Sequence, residues 1–232
     1  HETRIAILHD RRAATTTVVN EPGPAFSPHD WTVMTDFVNS HLHGVSALVC
    51  TGSLLPGVPD DGYVDLIHSS RQAAVPVIID ASGAALMRCA EAQPEIIKVN
   101  LEEAESAVAL TAKHDESAKT DLMSRARHAA NRLHGMSGNA VIVTVSIGAV
   151  LVERGRTVIM PAPSVTVRNE VGAGDSFLAG LAAGLIEHGD LLVACRRAVA
   201  VASASVEAPQ PGWLDVAYAD ELEQLVVPEV FR

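Results

Sequence analysis

Aromatic residues are scarce: two Trp, two Tyr and four Phe make up 3% of the 232 residues. A core must therefore come from Ala, Val, Leu and Ile, and the chain is 48% hydrophobic. That share excludes a disordered chain, which would be poor in apolar residues. Charge is low at 19%, and a basic excess is missing: 17 Lys and Arg stand against 28 Asp and Glu, a formal net charge of −11. Nucleic-acid binders need a basic face to neutralise phosphates. The tight basic clusters here are Arg11-Arg12 and Arg196-Arg197, so no nucleic-acid partner is expected. A small phosphorylated substrate needs only a few local cations and stays open. Long apolar runs are missing too. Ala173–Ile186 is interrupted by Gly, Asp and Ser, short of a membrane span, so no membrane partner is expected. The three cysteines, Cys50, Cys89 and Cys195, form no CxxC pair and cannot all pair within the chain. Reduced thiols of that kind fit a cytosol. The opening segment, HETRIAILHDRR, has no long apolar run of the sort a secretory leader carries. A cytoplasmic location is expected.

Several chemical signatures are also missing. There is no GxxxxGK[ST] phosphate loop, no HExxH, no metal-spaced Cys/His set and no GxSxG elbow. Gly172 and Gly174 do not complete GxGxxG, because Phe177 holds the third glycine position. His41 and His43 read as solvated residues near a helix end rather than as a metal pair.

What is present is a rhythm. Thr3–Leu8 and Thr15–Val19 read as the strands of a hairpin, joined by a polar connection over His9–Ala14. Asn20-Glu21-Pro22-Gly23-Pro24 breaks the chain, and Ser27-Pro28 opens a helix to about His41. Short apolar strands then alternate with helices. The strands are expected at Ser46–Cys50, Val75–Asp80, Glu95–Val99 and Ala140–Val145. The helices are expected at Asp60–Ala73, Ser82–Ala92, Leu101–Leu110 and Asp121–Met136, with Lys113–Thr120 a polar stretch. Val150–Glu153 and Val158–Met160 form a second hairpin around Arg154-Gly155-Arg156. Two or three helices close the chain over Ala173–Val206 and Asp215–Val226. Such alternation means an α/β fold whose parallel sheet is covered on both faces. The first hairpin stands outside the rhythm and is expected to project from the sheet.

The stretch most suggestive of chemistry is Glu170-Val171-Gly172-Ala173-Gly174-Asp175-Ser176-Phe177. Gly172, Ala173 and Gly174 leave backbone N–H groups free to point at one spot, where a helix N-terminus adds positive partial charge. This suits an anion hole for a transferred phosphoryl group. Asp175 beside it can accept the proton of an attacking hydroxyl. By itself the stretch reads equally as a glycine-rich helix start with Asp175 as a capping residue.

Val171–Phe177 resembles the C-terminal signature of the PfkB family of carbohydrate kinases, whose fold is ribokinase-like. Ile97–Glu103 (IKVNLEE) resembles the family's KPNxxE segment, and Thr51–Pro59 (TGSLLPGVP) its GSLPPG turn. Asn20–Pro24 and Asp80–Leu86 resemble the phosphosugar branch, which holds 1-phosphofructokinase, tagatose-6-phosphate kinase and the minor 6-phosphofructokinase. These motifs occur in family order across nearly the whole chain. The resemblance implies a three-layer fold with a mostly parallel central sheet between helices, and a remnant of a β-lid over residues 1–24 preceding a core over 25–232. It implies ATP and Mg²⁺ as cofactors, and phosphorylation of a ketohexose phosphate. Fructose 1-phosphate, giving fructose 1,6-bisphosphate, is the first expectation; tagatose 6-phosphate or fructose 6-phosphate is the alternative.

Roles follow residue by residue from the resemblance. Asp175 is the expected base, and Gly172, Ala173 and Gly174 the anion hole. Asn100 and Glu103 would hold Mg²⁺ through water, a spacing that puts both at one helix start. Lys98 would reach a phosphate, its alternative being a solvated strand-end lysine. Thr144, Ser146 and Gly148 would line the nucleotide site. Ser53 and Arg4 would hold the phosphate already on the sugar, with Arg4 alternatively an exposed edge-strand residue. The sequence departs from the family at Val99, where the family has Pro, at Leu55, which replaces the first proline of the turn, and in Thr144–Gly148, one residue short. The family's opening strand, its sugar-binding Asp and its GG segment do not appear after His1. The chain is therefore expected to be a larger kinase lacking its N-terminal segment, with open strand edges and apolar surface that aggregate or pair unless covered. The alternative is a non-catalytic remnant. Members of this branch commonly pair through the lid, so the full-length protein is expected to be a homodimer.

Overall fold

A computed structural model describes residues 6–11, 15–109 and 121–231. Strands β1 (Ala6–Arg11) and β2 (Thr15–Asn20) pair antiparallel and form a sheet of their own. β1 runs on through His9–Arg11, which the sequence reads as connection, because those residues pair with Thr15–Thr17. The expected strand positions at Thr3–Ile5 lie outside the described residues, as do the polar stretch Lys113–Thr120 and the candidate Arg4.

Helix α1 (Pro28–His41) starts where Ser27 and Asp30 cap reciprocally, the Asp30 N–H reaching Ser27 Oγ at 3.2 Å and the Ser27 N–H reaching Asp30 Oδ2 at 2.9 Å. The alternating core follows: β3 (Leu48–Thr51), α2 (Gly62–Gln72), β4 (Val77–Asp80), α3 (Gly83–Glu91), β5 (Ile96–Asn100), α4 (Leu101–Ala109), α5 (Leu122–Ser137) and β6 (Ala140–Val145). The chain then makes a meander, β7 (Gly148–Glu153) and β8 (Arg156–Pro161), and closes with α6 (Ala173–His188), α7 (Leu191–Glu207), α8 (Val216–Glu223) and β9 (Glu229–Phe231). The expected apolar stretch Ala173–Val206 is broken at Gly189-Asp190, where Asp190 caps α7 by accepting from the Val193 N–H. β9 was not expected: three residues are too short to show a period, and they are a strand because they pair with β8.

Seven strands lie in chain order, β3 to β9. β3–β6 are parallel, while β7, β8 and β9 add antiparallel partners. The sheet is thus mixed, with its parallel half carrying the βαβ units. Three parallel crossovers step the same way along the sheet, and right-handed crossovers then put every connecting helix on one face. Packing agrees. Val77, Ile79, Ile97, Val99, Val141 and Val143 cluster with side chains of α2–α5. The alternate residues Ile78, Ile96, Ile142, Leu151 and Met160 cluster with α6–α8. Both sets are essentially buried, so a one-residue slip of any strand would exchange two full core faces.

α6 and α7 approach closely over small residues. A Cβ at Gly180 would lie 2.9 Å from Val201 Cβ and 3.1 Å from Ala198 Cα. Gly180→Ala therefore overpacks the interface and should cost about 1–3 kcal/mol of stability. Urea unfolding followed by circular dichroism measures it; an unchanged midpoint would contradict this packing.

Candidate active site

In a parallel sheet the C-terminal strand ends share one edge, and ligands bind there. Register aligns Thr51 of β3 with Asp80 of β4, and Asn100 of β5 with Thr144 of β6. The candidate residues collect along this edge.

Lys98 is 3% exposed. Its ammonium lies 2.6 Å from Asp80 Oδ2. A bare ammonium at that depth would be strongly penalised by lost hydration, so the chain places a carboxylate against it. The reading of Lys98 as a solvated strand-end lysine is overturned by this burial. Its charge also reaches α6: a Cβ at Gly174 would stand 3.1 Å from Lys98 Nζ.

α6 begins at Gly172, whose φ of +82° is readily adopted only by glycine. No side chain caps this helix. The Ser176 N–H makes the first helical bond, to the Gly172 carbonyl at 2.8 Å, while the Ala173 N–H makes a long one of 3.3 Å to Glu170. The approach to the helix is strapped down, since the N–H groups of Arg168 and Asn169 both donate to the Val206 carbonyl of α7. The first-turn amides and the buried Lys98 thus meet at one place, with the exposed Asp175 in the same turn. Burial lifts the Asp80 carboxyl above the usual carboxylate range; Lys98 pulls against this, and the nearby charge of Asp175 adds to it.

Asn100 and Glu103 share the start of α4 as their spacing implies, and they cap it. The Glu103 N–H donates to Asn100 Oδ1 at 2.9 Å, and the Asn100 N–H to Glu103 Oε2 at 3.0 Å. Burial lifts the Glu103 carboxyl; the bond from Asn100 opposes this, and the charge of Asp80 adds to it. The Asn100 N–H engages Oε2, so Glu103 Oε1 is the oxygen a hard divalent ion would meet, directly or through water. Such a donor suits Mg²⁺. Among the described residues no three His, Cys, Asp or Glu side chains converge as a metal cage.

A cavity of about 980 Å³ opens over this edge, and Lys98, Asn100, Thr144, Ser146, Gly148, Ala173 and Gly174 all line it. Thr144 donates its hydroxyl to the Val99 carbonyl at 3.3 Å. Ser146 and Ile147 make the two-residue turn between β6 and β7. Gly148, at φ +142°, sits where a Cβ would fall 2.2 Å from the Met160 carbonyl oxygen, so glycine is required by the fold itself. Glu103, Gly172 and Asp175 border the cavity in sequence without lining it, and Ser53 follows β3 further along the same edge. The sequence reading gave Asp80 no role. Its signal was an acidic residue ending the buried apolar run VPVIID at the ligand edge. The apolar wall formed by Val165, Val167 and Val206 carried no sequence signal at all.

The three-layer fold, with helices on both faces of a mixed sheet, is ribokinase-like. The sequence model described as pfkB family carbohydrate kinase matches residues 1–213, and the chain belongs to that family. Solved structures share the fold. A Thermotoga maritima protein described as a possible 1-phosphofructokinase matches with a TM-score of 0.81 and 20% identity, over 99% of this chain and 70% of its own. Escherichia coli phosphofructokinase-2 in complex with potassium matches with a TM-score of 0.76 and 22% identity, over 91% and 66%. Arabidopsis thaliana ribokinase, solved with ribose and ATP, gives 0.66 and 19%, over 94% and 68%. The chain thus spans about two thirds of these proteins. Kinases of this family generally use ATP and Mg²⁺. No helix among the described residues is long and apolar enough to cross a membrane.

Breaking the Asp80–Lys98 pair from either side should be costly: Asp80→Leu and Lys98→Met each lose about 3–5 kcal/mol, while the double variant recovers most of it. In Lys98→Met the native Asp80 holds its proton to higher pH than the unfolded chain does. That variant should therefore lose stability further as pH rises from about 4. Chemical denaturation at several pH values tests both statements, and additive losses in the double variant would contradict the pairing.

Proposed function

We propose that this protein transfers the γ-phosphoryl group of ATP to a hydroxyl of a ketohexose phosphate. The observation that carries the reading is the uncapped first turn of α6 set against the buried Lys98, with Asp175 in that same turn. Asp175 takes the proton of the substrate hydroxyl as its oxygen attacks the γ-phosphorus. The bond from that phosphorus to the β,γ-bridging oxygen breaks, and ADP leaves with the electron pair. Charge builds on the phosphoryl oxygens during this transfer. In this reading the Gly174 amide and the ammonium of Lys98 meet that charge, with the amides of Gly172 and Ala173 completing the anion hole as the Ala173 N–H gives up its long bond to Glu170. Mg²⁺, when bound near Glu103 and Asn100, supplies further neutralisation of the phosphates.

Fructose 1-phosphate is the substrate we favour. Support comes from the Asn20–Pro24 and Asp80–Leu86 segments, which resemble the phosphosugar branch, and from the likeness in fold to the Thermotoga protein. Tagatose 6-phosphate and fructose 6-phosphate are the alternatives. In this reading Ser53 and Arg4 hold the phosphate already on the sugar, Thr144, Ser146 and Gly148 line the nucleotide, and two copies pair through the lid strands β1 and β2. A non-catalytic remnant is the opposing reading.

A phosphosugar panel with coupled ADP detection separates these. Turnover should be fastest with fructose 1-phosphate; equal rates on all sugars would remove the specific assignment, and no turnover with any would favour the remnant. Asp175→Asn should lower kcat by roughly 10²–10⁴-fold while nucleotide binding persists. Activity retained in that variant would refute the base assignment.

A further inference from the structure

We propose that Tyr63 is a positioning residue of the sugar-phosphate subsite: its hydroxyl holds the start of the 51–59 turn, so that Ser53 is in place before the phosphosugar arrives. The inference rests on the phosphosugar reading of the site. β3 ends at Thr51, and the chain leaves the edge at Gly52, whose φ of +91° is rarely adopted by residues with a side chain. A Cβ there would meet nothing within 4 Å, so glycine serves the turn and not the space. The Gly52 N–H donates to the Asp80 carbonyl at 3.0 Å. The Tyr63 hydroxyl, from the first turn of α2, donates a shared bond to the carbonyls of Gly52 at 3.2 Å and Thr51 at 3.3 Å. Both backbone polar groups of Gly52 are thus held, the N–H by β4 and the carbonyl by α2. Ser53 follows directly.

The tyrosine suits this task. Its half-buried ring packs against the core cluster beneath β3 and α2, while its polar tip reaches the turn. The far end of the turn has anchors of its own. The Phe26 N–H donates to the Pro56 carbonyl at 2.7 Å, and the Val58 N–H to the Leu55 carbonyl at 3.0 Å. Val58 and Leu54 press on α2 at Gly62, where a Cβ would lie 2.7 Å from Val58 Cγ1 and 3.4 Å from Leu54 Cδ2. Removing the hydroxyl therefore loosens the start of the turn, where Ser53 sits, and leaves the rest docked. A ligand that must order its own binding loop loses affinity for it. The nucleotide side is separate: among the described residues, the lining of the cavity over the α6 start includes neither Tyr63 nor the 51–59 turn.

Steady-state kinetics of Tyr63→Phe, Ser53→Ala and the double variant test this, with the phosphosugar of the panel that the wild type turns over fastest. Tyr63→Phe should raise the KM for that phosphosugar about three- to tenfold, the range of one lost neutral hydrogen bond. Its kcat and its KM for ATP should stay within about twofold, as removal of uniform substrate binding requires. In the Ser53→Ala background the same change should raise the KM less than about twofold, because the group it positions is gone. A KM unmoved by Tyr63→Phe, an equal rise for ATP, or the same rise with and without Ser53 would overturn the proposal while the kinase reading stands. So would loss of the fold, read by circular dichroism, on removal of this one hydroxyl. A wild type that turns over no phosphosugar overturns the reading on which the proposal rests, and the proposal with it.

Discussion

Lys98 carries its ammonium into the interior at 3% exposure, and such a charge has to be answered where it lies. Asp80 answers it from the adjacent strand at 2.6 Å. The pairing requires β4 and β5 to end together on one edge, which parallel register provides. It also leaves two opposite charges beneath a helix start that no side chain caps. The site is organised around that pair: a cation held rigidly, a carboxylate whose burial raises its proton affinity against the pull of Lys98, with the charge of Asp175 adding to the rise, and a first turn of amides with an anion-seeking dipole.

The layers around the pair explain its rigidity. Helices α2–α5 fill one face of the sheet and α6–α8 the other, each against alternate strand residues. α6 cannot drift from Lys98, because Gly180 and Gly184 bring its backbone against α7. The loop before α6 is tied to the end of α7 through Val206. Packing far from the edge thus sets the aim of Gly174 and Asp175, in the way a preorganised anion site demands.

The alternation of helices and strands was legible in the sequence because strands buried on both faces are apolar throughout, as in VPVIID and AVIVTV. The α6 start was legible because its glycines and Asp175 are consecutive. Asn100 and Glu103 were legible as a pair because a separation of three places both in one turn; their mutual capping bonds needed coordinates. The Asp80–Lys98 contact was not legible, since nothing in a sequence aligns two residues 18 apart on neighbouring strands. β9 escaped for a similar reason: its strand character comes from β8 and not from its own three residues. The apolar wall of the cavity escaped because Val165 and Val206 come together only when the loop folds onto α7.

The central claim is that the α6 start and Lys98 together hold the transferred phosphoryl group. A crystal structure with Mg²⁺ and a non-hydrolysable ATP analogue measures this most directly. The account predicts the terminal phosphate within hydrogen-bonding distance of the Gly174 amide and Lys98 Nζ, with Asp175 facing its far side. A terminal phosphate bound away from both groups would contradict it.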